Sequence, residues 1–197
     1  MKILELVESL QNVYVVGDSI AVGIQKAGSA PGITQGGKDT NAILGFVSTL
    51  VEKTNLQGTV VILSSGASNS TFERETGETK KLDVSTITKQ ITVLKQAGAK
   101  VALVGTGSSQ SKWFTNQHGK YRVNFEKEQV NQKLENIAAQ TGAVFLGPLE
   151  NFDPSLNTTG DGIHPYNGYK KLFQSGSSIV ANKPVQQLQR PQRRPRD

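Results

Sequence analysis

The sequence predicts an α/β protein, a three-layer α/β/α sandwich built on a parallel sheet of about five strands. Short β-branched apolar runs alternate along the chain with longer segments whose apolar residues recur at i, i+3 and i+4, the pattern of repeated strand–helix units. No internal repeat interrupts that alternation, and 197 residues suffice for one domain with a sizeable core.

Strand one is "VYVV" (13–16), followed by a helix from about Ser19 to Ala27. A short strand near "GITQ" (32–35) precedes a helix over 39–54, where Ile43, Leu44, Val47, Leu50 and Val51 fall on one face. The run "TVVILSS" (59–65) is the clearest strand. A helix over about 83–97 follows and ends at Gly98, a residue suited to a C-terminal cap. Strand four is "KVALVGT" (100–106), a long helix is expected over 124–142, and "AVFLG" (143–147) is strand five. A last helix is expected to begin near Pro165, a favoured first-turn residue, and to reach about Ala181.

Composition narrows the function. Hydrophobic residues make up 36% and charged residues 19% of the chain, as in ordinary globular proteins. No apolar run is long enough to span a membrane. The N-terminus "MKILELVESLQN" places Glu5 and Glu8 where a signal peptide would be apolar. With no cysteine there is neither a disulfide framework nor a thiolate metal site, and no cluster suggests a metal or another cofactor. The net charge of +6 is unevenly placed. Residues 183–197 hold Lys183, Arg190, Arg193, Arg194 and Arg196 against Asp197, four of the six net charges. Pro, Gln and Arg without apolar periodicity predict a disordered tail after a domain over 1–182. That tail suits contact with an acidic surface. No aromatic residue interleaves with its arginines, so nucleic-acid binding has little support.

Open parallel sheets gather function at the carboxyl ends of their strands, so the loops near 17, 36, 65, 106 and 147 matter most. After strand one, Gly17-Asp18-Ser19 puts a hydroxyl where a helix begins, facing the positive end of its dipole. Alone this is weak, because Asp and Ser are ordinary helix caps. Near the other end, "DGIHP" places Asp161 three residues before His164. That spacing lets the carboxylate take the imidazole Nδ1–H and leave Nε2 as a base. The other histidine, His118, lies in a polar loop. "SSGASN" after strand three offers Gly66 for a turn and Asn69 as an amide donor, and Gly36-Gly37 offers backbone N–H groups.

Taken together, these pieces resemble the SGNH hydrolase superfamily, the GDSL-type esterases and lipases. "VVGDSIAVG" is similar to its first block, the Gly36-Gly37 pair to its glycine block, "SSGASN" to its asparagine block and "DGIHP" to its final block. Gly168-Tyr169 resembles the pair that often follows. The likeness spans about residues 13–180 and departs in the asparagine block, which carries one extra residue before Asn69. The resemblance implies a flavodoxin-like fold and ester hydrolysis through an acyl-serine, with Ser19 as nucleophile, His164 as base and Asp161 as its orienting carboxylate. It also implies an oxyanion hole from the Ser19 N–H, the Gly37 N–H and the Asn69 amide, with Gly36 the alternative glycine, and no cofactor. Asp18 is expected to cap the first helix or tie the loops together.

Nothing in the sequence provides an apolar insertion that would cover a lipid site. The polar stretch after Asn69 and the segment 108–122 are expected to wall the cleft, the latter with Trp113, Phe114 and Tyr121, which suit a sugar face. A small acyl group on a carbohydrate is therefore the first expectation. Lysophospholipid or thioester hydrolysis, and a catalytically silent glycan-binding or assembly module, are the alternatives. A nucleotide site using "VGTGSS" (104–109) as a phosphate loop is a weaker one. The location expected by default is the cytoplasm, with a phage particle, where small domains of this family also occur, as the other possibility.

Overall fold

The computed structural model describes residues 12–67, 72–74, 76, 81–107, 114–116, 119–123, 129–156 and 162–181. Its main sheet has five parallel strands in the order β2-β1-β3-β5-β8, where β1 is Val13–Gly17, β2 Gly32–Thr34, β3 Val60–Ser64, β5 Lys100–Val104 and β8 Val144–Leu146. All five expected strands are present. β3 lies at the centre, every residue buried, as its uninterrupted apolar sequence requires.

Alternate side chains of the sheet enter two cores. On one face Val16, Val61, Leu63, Val101 and Leu103 pack with α2 (Thr40–Lys53), α3 (Val84–Gln96) and α4 (Val130–Thr141). On the other, Val13, Val15, Val60, Ile62, Ala102 and Val104 pack with α1 (Ser19–Gly28) and α5 (Tyr169–Ser177). The helices lie on both faces, so the three-layer expectation holds.

Asp18, Asp39 and Asp83 cap α1, α2 and α3, each accepting a backbone N–H of the first turn. At Asp83 the hydrogen bonds from Thr86 hold the carboxyl below its ordinary value against the effect of burial, with further help from Ser85 and Thr40. Asp83→Ala is expected to cost about 1 kcal/mol of stability, read as a lowered urea midpoint at unchanged slope. A midpoint equal to wild type would mean the cap contributes nothing.

Two helix boundaries differ from expectation. The helix expected over 124–142 is described from Val130, because Gln129 adopts a left-handed conformation (φ 47, ψ 44) that no right-handed helix can continue through. Residues 124–128 lie outside the described residues. Pro165 does not open the last helix. His164 and Pro165 accept turn hydrogen bonds from Tyr166 N–H and Gly168 N–H, and α5 begins only at Tyr169. Its end passes into a 3-10 turn, Ser178–Ala181.

Three short strands were not anticipated. β4 (Phe72–Arg74), β6 (Phe114–Asn116) and β7 (Gly119–Val123) form a second, antiparallel sheet in the order β4-β7-β6. It joins the insertion that follows β3 to the insertion that follows β5, both leaving the carboxyl ends of neighbouring strands. The two segments expected to wall the cleft are thus paired with each other.

Candidate active site

The switch in strand order falls between β1 and β3, the position where open α/β sheets leave a crevice. Three residues build its floor. Gly17 (φ +141) pairs with Ser64, and a Cβ on it would stand 1.8 Å from the Ser64 carbonyl oxygen, so only glycine lets β1 close on β3 here. Asp18, 1% exposed, crosses the gap. Its Oδ1 accepts from Ile20 N–H (3.0 Å) and Ser64 Oγ–H (2.8 Å), and its Oδ2 from Gly66 N–H (3.0 Å). Burial pushes its carboxyl above the ordinary value, against the opposing pull of hydrogen bonds from Ser64, Ile20, Ala21 and Gly66. Of the two roles expected as alternatives for Asp18, capping the helix or tying the loops, it fills both. Gly66, with φ +60, makes the sharp turn expected of it.

Ser19 follows as the first residue of α1, half-buried. A first-turn N–H has no intrahelical acceptor, so its donor faces outward with the helix dipole behind it. From 145 residues away along the chain, His164 brings Nε2 to 2.9 Å from Ser19 Oγ. With the proton on Nδ1, Nε2 accepts from the serine hydroxyl.

His164 is held by a template that sequence reasoning missed. The stretch after β8 folds into a 3-10 turn, Leu149–Asn151, and then presents Asp153, 2% exposed. The Asp153 carboxylate accepts from Ser155 N–H (3.0 Å), Ser155 Oγ–H (2.5 Å) and Asn167 N–H (3.0 Å). Asn167 Nδ2–H also donates to Ser155 Oγ, while Gly162 N–H donates to the Leu156 carbonyl. Residues 153–156 therefore pin the His164 loop on both sides of the imidazole. The available signal was Asp153-Pro154-Ser155, an Asp-led turn.

Burial opposes ionisation of Asp153, but the hydrogen bonds from Ser155 and Asn167 outweigh it and hold the carboxyl below its ordinary value. A depressed value means the unfolded chain binds that proton more tightly. The stabilisation is thus complete above the unfolded value, about 3.9, and is lost as pH falls through the lower folded one. Asp153→Asn is expected to cost about 2 kcal/mol at pH 7, and its deficit against wild type should shrink as pH falls below about 4. A deficit that stays constant in urea melts between pH 7 and 3 would refute this.

The other expected site residues divide clearly. Gln35 N–H donates to the Gly17 carbonyl (3.0 Å), fixing the Gly36-Gly37 turn beside β1. Gly36 is the one next to Ser19, since a Cβ on it would lie 3.7 Å from Ser19 Cβ, whereas one on Gly37 (φ +71) would meet nothing within 4 Å. Asn69, Trp113, His118, Asp161 and the tail 183–197 lie outside the described residues. Phe114 and Tyr121 fall in β6 and β7 and are cross-strand partners. Of the stretch 104–109, residues 108–109 lie outside the described residues, and the 106–107 backbone is engaged by a side chain of the chain itself. Asn131 accepts from Thr106 N–H (2.8 Å) and donates to the carbonyls of Thr106 and Gly107 (3.0 Å each). Among the described residues no group of three or more His, Asp or Glu could hold a metal ion, and no helix is long and apolar enough to cross a membrane.

The fold is a parallel sandwich that brings a serine hydroxyl and an imidazole together at its carboxyl rim. Solved structures place the fold more narrowly. A GDSL-like lipase from Bacteroides thetaiotaomicron superposes with a TM-score of 0.59 at 16% identity, over 88% of this chain and 89% of its own. An acetyl xylan esterase from Geobacillus stearothermophilus gives 0.55 at 12%, over 86% and 94%. A protein assigned as an SGNH hydrolase from Slackia heliotrinireducens gives 0.53 at 12%, over 86% and 95%. Neither a family model nor a curated protein sequence matches the chain. The fold is that of the SGNH hydrolases.

Proposed function

We propose that the protein is a serine ester hydrolase that removes small acyl groups, acetyl first, from a carbohydrate. The observation that carries the reading is the 2.9 Å contact between Ser19 Oγ and His164 Nε2 at the first residue of α1. Ser19 Oγ attacks the ester carbonyl as its proton passes to Nε2. The C–O bond to the alcohol then breaks, and Nε2 returns the proton to the leaving oxygen. In the second half, water gives a proton to Nε2 and attacks the acyl carbon, the bond from that carbon to Ser19 Oγ breaks, and Nε2 returns the proton to Oγ, which frees the acid and restores Ser19. Asp161 is assigned to the Nδ1–H of His164. The Ser19 N–H, the Gly37 N–H, with Gly36 as the alternative, and the Asn69 amide are assigned to the developing oxyanion. Trp113, Phe114 and Tyr121 are assigned to the substrate. The sugar assignment is supported by the polar insertions and by the likeness to an acetyl xylan esterase.

A fluorophosphonate probe followed by peptide mapping tests the chemistry, and a panel of acetylated sugars, lysolipids and acyl thioesters tests the substrate. Labelling at Ser19 with cleavage of the sugar esters is expected. Cleavage of lysolipids or thioesters alone would move the substrate class. Absence of labelling would leave a silent glycan-binding or assembly module.

A further inference from the structure

Tyr166 is 63% exposed, yet its backbone is fixed: its N–H donates to the His164 carbonyl (2.9 Å). Its ring centroid lies 5.6 Å from that of the His164 imidazole, tilted by 37°. Tyr169 packs against it edge-on, 6.3 Å away at 86°. Tyr169 in turn sits in a notch of α1 that only glycine leaves open, since a Cβ on Gly23 would come within 2.2 Å of its ring. The result is an exposed aromatic ring beside the imidazole.

We infer that Tyr166 is the wall against which the alcohol half of the substrate rests, and that this alcohol is a sugar ring. The inference rests on the esterase reading and adds to it which side of the site selects the alcohol. In that chemistry Nε2 must hand its proton to the leaving oxygen, so the alcohol departs alongside the imidazole. The carbonyl oxygen is drawn the other way, towards the donors at the start of α1. A group beside the imidazole is therefore within reach of the departing alcohol. A flat ring with a polar hydroxyl rim, largely open to water, matches the C–H face and hydroxyl edge of a pyranose. A lipid alcohol gains affinity from an enclosed apolar slot, which a face this open cannot provide.

The test compares kcat/KM for an acetylated methyl pyranoside with that for ethyl acetate, whose alcohol is too small to stack. The sugar-to-ethyl ratio is expected to fall about tenfold in Tyr166→Ala, a loss of the size an aromatic contact supplies. In Tyr166→Phe, which keeps the ring, it should stay within about twofold of wild type. An unchanged ratio in Tyr166→Ala overturns the inference and leaves the esterase reading standing. So does wild-type cleavage of ethyl acetate without the sugar ester. Cleavage of neither ester, with no fluorophosphonate labelling, overturns the esterase reading and this inference with it.

Discussion

Ser19→Ala is expected to lower hydrolysis of p-nitrophenyl acetate by on the order of 10⁴- to 10⁶-fold while leaving the protein folded. The size follows from the role proposed for Ser19. Without a nucleophile there is no acyl-enzyme, and what survives is the smaller contribution of binding and oxyanion donors. The second half of the prediction follows from the structure. The cap of α1 belongs to Asp18, and the hydroxyl of Ser19 is bonded to His164, so deleting it removes no helix cap and no link between strands. Thermal and urea midpoints are therefore expected close to those of wild type, which makes the lost activity interpretable as lost chemistry. A variant that retains wild-type turnover would dismiss Ser19 as the nucleophile. A variant that loses activity only because it melts would show that the hydroxyl holds the structure.

The division of labour within Gly17-Asp18-Ser19 also explains how much could be foreseen. The parallel strands announced themselves because they are continuous β-branched runs, and the helices because their period is local. The meeting of Ser19 with His164 followed from topology, since both leave the sheet at its carboxyl rim. What escaped notice depends on pairing across distance. β4, β6 and β7 are three to five residues long and polar, and β4 finds its partner some fifty residues downstream. Asp153 looked like any turn aspartate, and only the fold lays its carboxylate under Asn167. Pro165 was misleading for a related reason. Its fixed φ suits a helix start, but the turn bonds to His164 and Pro165 and the clasp from Asp153 take residues 164–168 for the imidazole loop first.

Gly17→Ala should do the opposite of Ser19→Ala, destroying stability while touching no reacting group. Two costs combine. The residue sits at φ +141, a conformation that side chains rarely adopt, and the added Cβ would lie 1.8 Å from a backbone oxygen of β3, which cannot swing aside as a flexible side chain would. Relief requires β1 to move away from β3 at the pair Gly17–Ser64. That same displacement would pull Asp18 from Ser64 Oγ and Gly66 N–H and leave a buried carboxylate short of donors. The expected loss is more than about 4 kcal/mol, a large part of what holds an ordinary domain together. For a chain of this length that corresponds to a fall in Tm of roughly 10 °C or more, with insolubility on expression as the extreme outcome. Circular dichroism on heating decides it. A Tm within about 3 °C of wild type would mean that β1 and β3 do not approach as closely as the Gly17–Ser64 pairing requires, and the placement of Ser19 at their shared rim would lose its foundation.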